Sequence, residues 1–81
     1  MLEITEGASE VIERAYAAAS RFNPDARVRV YATGGRIETG FADAPEKGDT
    51  VIEHEGLELF VQAGIEGVLD VSAEHDHLIV R

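Results

Sequence analysis

Three histidines and one pair of adjacent glycines are the scarcest chemistry-bearing features of this chain. His75 and His77 stand two residues apart. On an extended strand both imidazoles would leave the same face, and with Asp70, Glu74 or Asp76 folding in they could hold a borderline metal such as iron or zinc. That chemistry needs a further ligand, for which His54 is the remaining imidazole. A Glu-His-Asp-His-Leu run is more often an exposed turn. His54 lies between Glu53 and Glu55, where acid/base work would require a cleft and a group to polarise the substrate. Asp43, Glu46 and Asp49 are oxygen ligands of the kind calcium takes, but their spacing departs from the EF-hand loop and Pro45 interrupts it, so a solvated acidic loop is expected. Gly34-Gly35 lacks the remaining glycines of a phosphate-binding loop and precedes no predicted helix; it suits a left-handed turn. Ser9, Ser20 and Ser72 have no nucleophile-elbow context, and the absence of cysteine removes thiol nucleophiles and disulfides alike. The expectation is a noncatalytic protein with no cofactor.

The elements that must position these groups follow from periodicity. Leu2 to Thr5 alternates as a short half-buried strand would. Thr5 is placed to cap a helix, with Glu6 and Glu10 near its positive end. From about Gly7 to Phe22, residues Ala8, Val11, Ile12, Ala15, Ala18, Ala19 and Phe22 recur at spacings of three and four, which predicts one amphipathic helix. Its alanines permit close approach to a sheet, Tyr16 and Phe22 supply bulk at its flanks, and Asn23-Pro24-Asp25 ends it. Arg27 to Ala32 predicts a strand with Val28 and Val30 on one face and Arg27, Arg29 and Tyr31 on the other. After the Gly-Gly turn, Ile37, Thr39 and Phe41 alternate again, and residues 43–49 form a turn-rich connection. Val51 and Ile52 lead to a tight turn at Glu55-Gly56, beyond which Leu57, Leu59 and Val61 share a face opposite Phe60. Val68 to Val71 and Leu78 to Val80 complete the strands around a polar turn at Ala73 to Asp76. Connections this short predict antiparallel pairing throughout.

Eighty-one residues with 44% hydrophobic content and a formal charge of −9 describe one small acidic domain, residues 1–81. That charge repels nucleic-acid backbones and anionic membranes and suits basic partners. Tyr31, Phe41 and Phe60 are accordingly better used in a core than as a base-stacking platform. The first residues have neither the basic flank nor the long apolar run of a signal peptide or membrane span, so a cytoplasmic location is the default.

The order of these features resembles the HesB/IscA-like family, the A-type carriers of iron-sulfur cluster assembly. The likeness runs from Ile4-Thr5-Glu6-Gly7-Ala8 through Val28-Arg29-Val30 and Gly34-Gly35. It continues over Gly40-Phe41-Ala42-Asp43-Ala44-Pro45-Glu46-Lys47-Gly48-Asp49 and the segment from Val51 to Val61, and fades at Gly67-Val68-Leu69-Asp70. The resemblance implies that family's small domain, mainly β with one N-terminal α-helix, of antiparallel β-sandwich-like architecture, and a role in binding iron or a cluster and passing it on. In family members a cysteine follows the glycine pair and a Cys-x-Cys tail follows the last strand. Here Arg36 follows the glycines and the chain ends at Arg81, which implies a cysteine-free relative truncated before that tail. A guanidinium cannot ligate iron, and cluster ligation favours thiolates. The implied function is therefore a carrier-like domain that has lost its cluster ligands and acts through protein contacts, among them self-association through an exposed strand edge. Its interaction residues would be Arg27, Arg29, Gly34, Gly35 and Arg36. The alternatives are a histidine-based iron or zinc protein using His75, His77 and His54, and a small-molecule-binding module or small enzyme.

Overall fold

The computed structural model describes residues 2–72 and 77–81. The predicted turn at Ala73 to Asp76, with His75, lies outside them. In chain order the elements are β1 (Glu3–Ile4), α1 (Glu6–Ser20), β2 (Arg27–Thr33), β3 (Arg36–Ala42), β4 (Thr50–His54), β5 (Leu57–Val61), β6 (Val68–Val71) and β7 (Leu78–Val80). Thr5 caps α1 as its sequence position suggests, accepting from the Ala8 N–H at 3.2 Å and donating its own hydroxyl hydrogen to Asp70 at 2.8 Å. One side chain thus starts the helix and ties it to β6.

The strands form a single sheet in the order β1-β6-β7-β3-β2-β5-β4, curled into a half-barrel with α1 against one face. The antiparallel β-sandwich expected from the sequence is not what forms: there is no second sheet among the described residues, and two pairings are parallel, β1 with β6 and β2 with β5. The reasoning from short connections considered only strands adjacent in sequence. β5 lies beside β2 after β3 and β4 have intervened, which supplies ample chain for a parallel neighbour.

The core follows the predicted faces. Ala8 and Ile12 of α1 pack with Val28, Val30, Leu59, Val61, Leu69 and Leu78, all buried. On the other face, Asp49 and Glu46 of the connection 43–49 meet Arg29. β3 ends opposite Arg27 whereas β4 begins opposite Val61, so the chain must move past two strands and about three residues up the sheet. At ordinary strand spacing this is about 17 Å out of roughly 26 Å of fully extended reach. The path crosses the face that carries Arg29 and Phe60, and Phe60 is buried although it points away from the helix. No helix among the described residues is long and apolar enough to cross a membrane.

Two aromatic assignments are corrected. Phe22 lies beyond the end of α1 and is 90% exposed, and Phe41, on the helix face, is 56% exposed. β7 pairs with β3 only at Ile37, so nothing in the sheet continues past Phe41 on that side. Replacing Ile12 with Ala should lower the unfolding free energy by about 3 kcal/mol, whereas Phe22→Ala should change it by less than about 0.5 kcal/mol; urea titration of both variants checks the contrast.

Candidate functional site

The five residues with predicted interaction roles separate in space. Gly34 and Gly35 form the β2–β3 turn with φ of 56° and 78°, the left-handed geometry that glycine accepts without strain. Arg36 follows at the start of β3, exposed and 3.9 Å from Glu38. It shares a groove of about 310 Å³ with Val11, Thr39 and His77. Arg27 donates to the carbonyls of Asp25 and Ala26 and approaches Glu58 at 3.7 Å. Arg29 is directed inward: its side chain is only 13% exposed and its fork meets both oxygens of Asp49 at 2.8 and 2.9 Å. Glu46 at 3.4 Å and the Tyr31 ring at 5.6 Å complete its surroundings. The residue that sequence reading offers to a partner thus holds the crossing connection in place.

The histidines are likewise distributed. His77 lies before β7 beside the Arg36 groove, and His54 ends β4 on the helix face, at a separate groove lined by Thr5, Glu6, Ser9, Glu10, Glu13 and Glu55. Among the described residues no group of three or more histidine or acidic side chains is arranged to hold a metal ion. Folding does bring together Ser9, His54 and Glu55, a set whose separation in sequence hides it. The Ser9 hydroxyl donates to Glu55 at 3.1 Å, and His54 Nε2 stands 3.1 Å from the same oxygen. A hydroxyl has one hydrogen, so with it on the carboxylate the imidazole must donate to Ser9. A nucleophile needs the reverse, an imidazole nitrogen free to accept the serine proton with the acid on the opposite ring nitrogen. With Ser9 donating to Glu55, this cluster joins α1 to the β4–β5 turn.

An exposed strand edge is expected from the sequence, which does not say which strand forms it, and the structure places one beyond β4. β4 is last in the sheet order, so alternate N–H and C=O groups of Thr50–His54 point away from β5 with no neighbouring strand among the described residues. Val51, opposite the buried Phe60, is 50% exposed. Two residues along the same face Glu53 sits directly opposite Glu58, a like-charge pairing that destabilises the two strands.

No family model matches the chain, and no curated protein matches it. With the single mixed sheet, this overturns the HesB-like domain assignment drawn from motif order.

Two carboxyls are strongly committed. The Arg29 hydrogen bonds, aided by the Glu46 N–H, hold Asp49 below the usual carboxylate range, and Arg29 is raised in turn. Asp70 is held low by the Thr5 hydroxyl, the Val71 N–H and Arg81 at 2.7 Å. A carboxyl whose pKa is depressed by folding contributes stability that is complete above its unfolded pKa and is lost as pH falls through the folded value. Urea-unfolding free energy should therefore decline from about pH 5 down to about pH 2, and the Asp49→Asn/Asp70→Asn double variant should show a shallower decline.

Proposed function

We propose that this chain is a noncatalytic protein-interaction domain that takes up an extended segment of a partner along the free edge of β4. The observation that carries this reading is the edge itself: five residues in regular pairing with β5, no strand partner on the other side among the described residues, and a half-exposed Val51 within it. Strand addition uses main-chain hydrogen bonds for affinity and alternate side-chain positions for specificity, and this edge offers both.

The wiring of Ser9, His54 and Glu55 supports the noncatalytic part of the reading, since Ser9 is held as a hydrogen-bond donor to a carboxylate. The charge of −9 supports a protein partner over a nucleic acid.

Selection from a random displayed-peptide library, followed by titration against the wild type and Val51→Lys, tests the reading. Val51 is already half-exposed, so the variant should keep its melting temperature within a few degrees. Selected peptides should bind it at least about tenfold more weakly, because strand addition would bury the new ammonium against an apolar neighbour. Peptides that bind Val51→Lys as tightly as wild type would place the interaction elsewhere.

A further inference from the structure

The rows of side chains that run across the sheet define the chemistry of the segment that fits its edge. On the face away from α1, one row runs Arg27, Glu58, Glu53 and then stops at the open edge. Its charges read plus, minus, minus, and Arg27 reaches only the inner of the two carboxylates. The neighbouring row runs Arg29, Phe60, Val51. On the helix face the row through Val28 and Leu59 ends at half-buried Ile52. A strand laid against β4 would continue all three rows.

We infer that the β4 edge selects an extended basic segment, with a lysine or arginine opposite Glu53 and apolar residues opposite Ile52 and Val51. This inference rests on the strand-uptake reading above and specifies its partner class. Antiparallel addition is the more stable geometry per residue, and in that direction the segment reads, from its N-terminus, cation, apolar, apolar. The cation and the second apolar residue then share the face of Glu53 and Val51. The first apolar residue extends the helix-side core past Ile52.

Charge complementarity also argues against a second copy of this chain as the occupant. Residues 50–54 contain no lysine or arginine. In the full-length antiparallel register, centred on Ile52, each copy would set its Val51 opposite the other copy's Glu53 and bring together two chains of charge −9. An acidic side chain on an edge strand is a familiar guard against self-pairing. Here the same carboxylate also determines which foreign strand is accepted, because a cation opposite Glu53 offsets the repulsion that Glu58 imposes on it.

The test uses the blocked peptide acetyl-Ser-Thr-Lys-Val-Val-Thr-Ser-amide and its counterpart with Glu in place of Lys, each titrated into ¹⁵N-labelled protein while the β4 amides are followed by NMR. The lysine peptide should shift the amides of residues 50–54 at about tenfold lower concentration than the glutamate peptide. Glu53→Lys should reverse that preference. This variant removes the Glu53–Glu58 repulsion, so it should fold at least as well as the wild type. Equal binding of the two peptides at β4 would overturn the requirement for a cation and leave strand uptake intact. Failure of both at β4, where library-selected peptides do bind there, would likewise overturn this inference alone. β4 shifts that depend on protein concentration without peptide, with a dimer mass, would assign the edge to a second copy and overturn it.

Discussion

The ion pair between Arg29 and Asp49 holds the connection on which the sheet order depends. Residues 43–49 must leave β3, pass across β2 and the place later taken by β5, and begin β4 on the far side. Most of their reach is used in doing so, and Asp49 is the last residue before β4 starts. Its carboxylate, 1% exposed, accepts from Arg29 and from the Glu46 N–H, so the loop is fastened to the strand it crosses and to itself. With the crossing fixed, β5 has one place to go, between β4 and β2, and must run parallel to β2. The burial of Phe60 and the outermost position of β4 follow.

Much of the local structure was legible in the residues. The helix and its Thr5 cap, the division of Val28 and Val30 from Arg27, Arg29 and Tyr31, and the turns at Gly34-Gly35 and Glu55-Gly56 all express short-range rules. Glu55 adopts φ of 50° and Gly56 82°, the doubly left-handed turn that suits a two-residue hairpin. The non-local relations were illegible for an equally physical reason. Alternation states which face a residue takes and is silent about which strand stands beside it. Hence Phe41 was correctly given an apolar face, but the sheet leaves that part of the face open. Arg29 was offered to a partner because Asp49, which it binds, is twenty residues away in sequence. Ser9, His54 and Glu55 were each visible, and their meeting was not. The motif order that suggested a known family consists of turns and strand faces, which carry no information on strand order.

The charged residues divide into two populations with different consequences. Arg29, Asp49 and Asp70 are enclosed by partners and set the geometry of the crossing and of the β6 end. Other acids, among them Glu10, Glu13 and Glu53, are exposed to water and shape what can approach. Glu53 is the point where the two meet, being structural through its opposition to Glu58 and outward-facing because no strand among the described residues lies beyond it. The functional reading depends on this unequal use of one residue type more than on net charge.

The pairing of β1 with β6 has a consequence for how the chain comes into being. Glu3 and Ile4 have no sheet partner until Val68 and Leu69 arrive, 65 residues later, and the Thr5 hydroxyl waits equally long for Asp70. At ordinary rates of translation that delay lasts about 3 to 13 s. Throughout it α1 can exist only as an amphipathic helix whose apolar stripe, centred on Ile12, lacks the strand that later covers one flank. The helix is made before β2 and β6, the strands that pack on it most, and is sealed only when β6 arrives. Until β6 arrives the apolar stripe of this helix stays partly uncovered, and it is the surface that a chaperone would hold in the meantime.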